Sequence, residues 1–282
     1  MTWQPYHIVF RLRSPMHIGS GSVGNIQRTR PYVTGRVFWG ALTMRIARNS
    51  QIHSSATECA YTDIGNKVHE CIAYTYFYPA ILTDGNYQVL WPWDKPDNFK
   101  QRLIRSYAST ALDYPMQSAA EALLHESEFI SPYTLDTAQP VQVFLTGYIF
   151  VNDQCDIDWN SALQKLQFGG DRCYGWGDVK LVRCEPPDKN NVLFDGMATF
   201  HSNKEMPVIC LNDHLLLLAH TATKNVKADG DIEPLVGREW RKNGQAGQHV
   251  EFTGVCFTPG STLKKAADFT IGNFGVWQMN EQ

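Results

Sequence analysis

The first 57 residues contain no aspartate, no glutamate and no lysine, yet they carry seven arginines: Arg11, Arg13, Arg28, Arg30, Arg36, Arg45 and Arg48. The formal net charge of the whole chain is only −3, which excludes a generic nucleic-acid coat. So segregated a positive stretch is nevertheless the electrostatic footprint of a phosphate-binding face. Arginine in place of lysine favours bidentate phosphate contacts and stacking on bases. The other reading of the stretch is a basic face paired with the acidic remainder of the protein, or with another subunit.

Other absences narrow the class further. The longest apolar run, Leu215 to Ala219, is far too short to span a bilayer, so no membrane partner is expected. No basic-then-apolar signal pattern opens the chain. The seven cysteines are odd in number and lack a framework spacing, as expected of reduced thiols in a cytoplasmic protein. No segment is low-complexity and no repeat is visible. Neither a Gly-x-Gly-x-x-Gly fingerprint nor a phosphate loop ending in Gly-Lys-Ser/Thr is present. No Ser-His-Asp or paired-carboxylate arrangement can be read from spacing. These absences weigh against a metabolic enzyme holding a nucleotide or sugar phosphate, although that class stays open. So does a structural protein whose basic face docks an acidic partner. With 43% hydrophobic and 19% charged residues the chain is an ordinary globular one. Its 282 residues allow one large domain or two moderate ones.

What is present is a concentrated loop, Gly169-Gly170-Asp171-Arg172-Cys173-Tyr174-Gly175-Trp176-Gly177. Four of its nine residues are glycine, which permits positive φ and close approach of a partner. Its amides beside Arg172 suit a phosphate. Tyr174 and Trp176 suit either a stacked base or a core plug.

Taken in order, residues Tyr6 to Arg13 alternate as a strand, with Tyr6, Ile8, Phe10 and Leu12 on a buried face and Arg11 and Arg13 on a basic one. Ser14 to Asn25 reads as a long mobile loop containing Gly19 and Gly21. Arg28 and Arg30 follow with no acidic neighbour. Thr34 is a candidate cap for a helix from Arg36 to Arg48. Ser50 to Ile72 shows no clear period but contains His53, Cys59, His69 and Cys71, four soft ligands that suit one structural zinc, without a Cys-x-x-Cys knuckle. An aromatic hairpin follows over Tyr74 to Trp91. Two helices are expected at 99–111 and 116–124, then a central strand Val141 to Val151. Next come a helix capped by Asp158, the glycine loop and a strand Val179 to Arg183. Pro186 to Asn191 is the linker candidate. Strands are expected at 192–200, 208–211, 215–219, 249–257 and 269–277. A second loop of glycine and cations, Gly237 to Gly247, contains Arg238, Arg241 and Lys242.

The strand–helix–strand, strand–helix–strand order of the first part is that of a ferredoxin-like α+β fold. Its sheet has one face under helices and one free face able to present aromatics and arginine to single-stranded RNA. The expected division is a ferredoxin-like domain over 1–185 and a mostly β part over 186–282.

Three segments carry a family resemblance. Val9-Phe10-Arg11-Leu12-Arg13-Ser14-Pro15-Met16-His17-Ile18-Gly19-Ser20-Gly21 is similar to the first strand and glycine turn of the RAMP superfamily of CRISPR-associated proteins. Arg30-Pro31-Tyr32-Val33-Thr34-Gly35-Arg36-Val37-Phe38-Trp39-Gly40-Ala41-Leu42 resembles that family's proline, tyrosine, glycine and small-residue helix. Gly169 to Val179 resembles its glycine-rich loop. The resemblance covers about residues 5–183 and implies a modified ferredoxin-like fold that binds CRISPR RNA, with a second, degenerate ferredoxin-like half after the loop. It implies RNA contacts at Gly19, Gly21, Arg11, Arg13, Arg28, Arg30, Arg36, Gly169, Gly170, Arg172, Tyr174, Gly175, Trp176 and Gly177.

Three family roles follow. A ribonuclease that processes precursor RNA would draw on His7 or His17. A backbone subunit that cuts target RNA needs an Asp in its first long loop, and Gly19 to Tyr32 has no carboxylate to place a metal ion. A non-cutting backbone subunit remains open. The third role, closest to the type III-D form, is a non-catalytic subunit that grips the 5′ handle of the guide and caps the complex. Its partners are CRISPR RNA, the large subunit, the backbone subunits and, indirectly, target RNA. No cofactor is required beyond a possible structural zinc.

Overall fold

In a computed structural model, residues 2–50, 58–135, 139–187, 191–201, 205–240 and 247–279 are described. In chain order the first part runs β1 (Trp3–Leu12), β2 (Gly19–Val23), β3 (Ile26–Thr29), α1 (Gly35–Ser50), α2 (Glu58–Cys71), β4 (Ile72–Tyr74), β5 (Tyr78–Thr83), β6 (Asn86–Val89) and α3 (Pro96–Leu103). It continues with β7 (Ile104–Ser109), β8 (Leu112–Asp113), β9 (Ser118–Ala119), β10 (His125–Ile130), β11 (Val143–Asn152), α4 (Trp159–Leu163) and β12 (Val179–Glu185).

The main sheet has the order β12-β1-β11-β5-β6, with β4 also paired to β11. All these pairs are antiparallel. With α1 and α4 as the two crossover helices, β1, β5, β11 and β12 are the first to fourth strands in the chain, and across the sheet they stand as fourth, first, third, second. That order is compatible with a ferredoxin-like fold. As its two apolar faces require, β11 is central, flanked by β1 on one side and by β4 and β5 on the other. One face of the sheet presents Ile8, Phe10, Leu12, Leu145 and Ile149 to Phe38, Leu42 and Ile46 of α1 and Leu163 of α4 in a continuous core.

The other face is not free. After β12 the chain builds a second sheet from β13 (Val192–Leu193), β14 (Ala198–His201), β15 (Val208–Leu211), β16 (Thr221–Ala222), β18 (Ile232–Glu239), β19 (His249–Phe257), β21 (Ala267–Ile271) and β22 (Trp277–Met279). A separate pair, β17 (Ala228–Asp229) with β20 (Thr262–Leu263), lies beside it. Trp3, Tyr78, Tyr148 and Phe150 from the first sheet, with Tyr76 from the link between β4 and β5, share a second core with Phe200, Ile209, Leu211, Ile271 and Trp277 from this one. Phe150 stacks on Phe200 with centroids 4.4 Å apart. The aromatics that an open RNA-reading face would display are thus buried, because the C-terminal strands have an apolar face of their own to cover. The C-terminal part contains no α-helix among the described residues, so any likeness to a second ferredoxin-like half rests on strands alone.

Several local expectations change. Ser14 to Asn25 is no mobile loop: β2 and β3 form a hairpin, and β3 joins β10 and then β7 in a four-stranded sheet. Every residue of β2 is exposed, so no apolar alternation marks it. The segment read as lacking a period contains α2, whose Tyr61, Ile64, Val68 and Cys71 face the first core. The helix expected over 99–111 stops at Leu103, and Ile104–Ser109 pairs with β10 instead. No helix forms over 116–124, where Gln117 and Ala122 take positive φ. Leu215 to Ala219 is not a ladder strand; it makes a single bridge, Leu216 to Thr262, and buries Leu217 and Leu218. Gly237 and Arg238 extend β18 rather than opening a loop. Asp158 caps α4 as expected, accepting from the Ser161 amide at 3.2 Å. Part of the linker candidate, 188–190, lies outside the described residues, as do Arg241 and Lys242.

Candidate nucleic-acid interface

The glycine loop is held at both ends by the turn that follows β1. The amide of Gly170 donates to the carbonyl of His17 (2.9 Å) and that of Gly177 to Pro15 (2.7 Å). Gly169 (φ 80°) and Gly177 (φ 75°) are left-handed, and a Cβ at Gly169 would lie 2.0 Å from the His17 oxygen. These glycines are required by the clasp. The amides of Tyr174, Gly175 and Trp176 also donate to loop carbonyls. The expected cradle of free amides for a phosphate is therefore largely consumed by the loop itself.

What the clasp does present is a tip, a single turn over Arg172–Tyr174, whose two sides face different surroundings. Arg172 is exposed, with Nη1 3.6 Å from Met44 Sδ. It faces a cleft of about 780 Å³ that also receives Arg36, Arg48 and Arg238. Gly19, Gly40, Tyr61, Gln167, Gly169, Gly170 and Trp240 complete much of its wall, and no described residue of the lining is acidic. Arg36, Gly40, Met44 and Arg48 recur every fourth residue, which puts them on one face of α1. Arg48, Arg172 and Arg238 have no carboxylate partner among the described residues; Arg238 donates to the Gly247 carbonyl at 3.2 Å. Burial, with Arg48 nearby, holds the Arg45 guanidinium below its usual range. Burial pushes the Tyr61 hydroxyl up to about 12, so it stays a neutral donor. Three guanidinium groups with no carboxylate partner among the described residues, around a concavity whose described lining is free of acids, focus a positive field able to hold phosphates.

On its other side the loop borders a hollow of about 650 Å³ against β7 and β10. Trp176 is half-buried there, edge-on to Phe129 at 5.2 Å. Tyr174 stands 80% exposed at the rim. Of the two aromatics, Trp176 packs and Tyr174 is available.

Arg30, Arg28, Arg13 and Arg36 find carboxylate partners distant in sequence. Arg30 meets Glu233 through both guanidinium nitrogens (2.7 and 3.2 Å). Glu233 in turn accepts from His220, whose Nδ1 lies 2.7 Å from the Tyr76 hydroxyl. His220 is fully buried, and burial lowers its pKa, so it is neutral with its proton on Nε2. Hydrogen bonds from His220 and Arg30 hold Glu233 down to about 2. Arg28 pairs with Glu128 (2.9 Å) and Arg13 with Asp178 (2.7 Å). The expectation that Arg28 and Arg30 lack acidic neighbours is overturned by carboxylates brought in by folding. Arg36 reaches the floor of the cleft but is engaged by Glu239 (2.6 Å), Thr253 (2.8 Å) and the face of Phe274. Arg11 is exposed at the end of β1 and donates to Gln142 (2.7 Å), outside the cleft. Gly21 lies in the exposed hairpin.

The two histidine candidates for ribonuclease chemistry differ: His7 is half-buried and lines a hollow of about 330 Å³, away from the cleft, and His17 is closed off. His17 is buried and donates from Nδ1 to the Glu128 carbonyl (2.7 Å). His7 bonds to Thr146 (2.7 Å) and stacks on Tyr148. Of the four candidate zinc ligands, only His69 and Cys71 have described side chains. His53 and the side chain of Cys59 lie outside the described residues. His69 stacks flat on Trp39, while Cys71, two positions on and so on another side of α2, meets Cys155. No group of three potential ligands occurs among the described residues.

Arg48, Met44, Gly40, Tyr61 and Trp240 were not singled out as site residues by sequence. For the three on α1 the signal was the i, i+4 recurrence from Arg36. Tyr61 and Trp240 reach the cleft only through tertiary packing.

No family model matches the chain, and no curated protein matches it. Among solved structures it is similar to a chain of a type III-B Cmr-beta assembly imaged with cognate target RNA and AMPPnP, at 11% identity and a TM-score of 0.50. The match covers 92% of this chain and 86% of that one. A second Cmr-beta structure with cognate target RNA gives 10% identity and a TM-score of 0.48 over the same shares. The first likeness is one of fold: a mixed α+β architecture, rich in strands, traced over most of both chains. No helix among the described residues is long and apolar enough to cross a membrane.

Proposed function

We propose that this chain is a CRISPR RNA-binding subunit of a type III effector complex, one that grips the 5′ handle of the guide and caps the backbone without cutting RNA. The observation that carries the reading is the cleft beside the glycine loop, whose described lining holds no acid and where Arg48, Arg172 and Arg238 have no carboxylate partner among the described residues. The RAMP-like motifs of residues 5–183 and the fold shared with a Cmr-beta chain support a place in a type III effector complex. Guide RNA, a large subunit and backbone subunits are the partners of this reading.

The test is co-expression with a guide RNA and the partner subunits, followed by low-salt purification. Expected are one copy of this chain per guide and RNA of unchanged length on incubation. A protein-only absorbance spectrum overturns RNA binding; several copies along one guide place the chain in the backbone; shortened RNA restores the ribonuclease role. With about three phosphates neutralised, log affinity for single-stranded RNA should fall against log salt with a slope of about −2.

A further inference from the structure

The last residue of α2 and the link between β11 and α4 bring two thiols into contact. Cys71 and Cys155, 84 positions apart in sequence, have their sulfurs 3.0 Å apart. That is well inside the ordinary van der Waals separation of two sulfur atoms. The backbone beneath them is fixed independently. Ile72 of β4 pairs with Val151 of β11, which brings the end of α2 beside Asn152. Asn152 donates from its side chain to the Glu70 carbonyl (3.0 Å), and its own carbonyl accepts from the Cys155 amide (3.2 Å). Sheet register therefore places the sulfurs, and a small side-chain rotation suffices to bond them.

We propose that Cys71 and Cys155 are a redox pair that closes to an intramolecular disulfide on reaction with a low-molecular-weight disulfide such as oxidised glutathione. Cys155 is half-exposed and Cys71 is buried, which sets the order of events. The Cys155 sulfur, its proton lost to water, attacks one sulfur of the reagent and expels a glutathione thiolate. The Cys71 sulfur, likewise deprotonated, attacks the Cys155 sulfur of this mixed disulfide and expels the second glutathione. The protein loses two electrons and two protons, and the reagent is reduced to two thiols. The cross-link ties the last turn of α2 to the β11–α4 link. Since α2 also carries Tyr61, oxidation fixes one wall of the cationic cleft.

The native full-length protein is incubated with oxidised glutathione, its remaining thiols are blocked with iodoacetamide, and the digest is read by mass spectrometry. Expected is a cross-linked peptide joining Cys71 to Cys155, lighter by two hydrogens than its reduced halves, with both positions lost from the alkylated pool. Thermal unfolding of the oxidised protein shifts upward. In Cys71→Ser the reaction stops at a glutathione adduct on Cys155. Alkylation of both cysteines in the wild-type protein, or a glutathione adduct persisting on its Cys155, overturns the proposal. The wild-type digest decides the matter even if the variant fails to fold.

Discussion

Arg172 and Arg30 carry the same side chain and face opposite fates. Arg172 stands exposed at the cleft with no carboxylate partner among the described residues, so reversing its charge touches binding rather than folding. Arg172→Glu should leave the circular dichroism spectrum and melting temperature unchanged and weaken RNA binding about tenfold or more, with a flatter salt slope. Filter binding across a salt series checks both. Arg30→Ala should do the reverse. It strands the Glu233 carboxylate beside His220 and costs a sizeable part of the ~3–5 kcal/mol typical of breaking a buried pair. Denaturant titration measures that loss. In the sequence the two residues look alike, because each is a cation in an apparent loop. The acid that separates them comes from residue 233, and nothing local announces it.

At the scale of elements, the α1 face and the glycine clasp make distinct predictions. Gly40 lies mid-helix and opens on the cleft, with the Tyr61 hydroxyl 3.6 Å from where its Cβ would stand. Replacing it with leucine removes a helix-weakening glycine, worth roughly 0.5–1 kcal/mol, while filling the cavity. Gly40→Leu should therefore keep or raise the melting temperature and lose RNA affinity, a combination that general misfolding does not produce. Gly177→Ala places a methyl 1.8 Å from the Phe168 carbonyl at a left-handed φ. It should cost more than about 1 kcal/mol in denaturant unfolding. Elements with a buried face were readable: β1, α1, β11, α4 and β12 all appear where periodicity puts them. The exposed β2–β3 hairpin and β7 were not, since their strand state comes from pairing within the β2-β3-β10-β7 sheet rather than from an apolar pattern. The stripe of α2, Tyr61, Ile64, Val68 and Cys71, was present in the sequence and obscured by the polar residues between.

For the whole molecule, the decisive feature is the core shared by the two sheets. It couples the regions divided at residue 185 by composition, so one unfolding transition is expected by both calorimetry and fluorescence. Phe150→Ala removes a ring stacked between the sheets and should cost about 3–5 kcal/mol without splitting that transition. The link between halves is also polar. Glu233 is depressed from 4.5 to about 2, so its stabilisation is complete above the unfolded value and is lost as pH falls toward 2. Neutral, buried His220 adds to the loss in the same direction, because its folded pKa also lies below its unfolded one. Stability should thus decline on acidification below the ordinary histidine range, and Glu233→Gln should flatten the steepest part of that decline. A mixed α+β order compatible with a ferredoxin-like fold was legible from chain order alone; the covering of the sheet's second face was not, because it depends on where the C-terminal strands land.

The pinning of the glycine loop at Pro15 and His17 separates anchor from tip. Substitutions at Arg172, Cys173 or Tyr174 alter what is displayed without disturbing how it is held. The loop is in that sense a modular graft site: its exposed turn can diversify, or be replaced by a reporter group on the exposed Cys173 thiol, while Gly169 and Gly177 keep the scaffold in register.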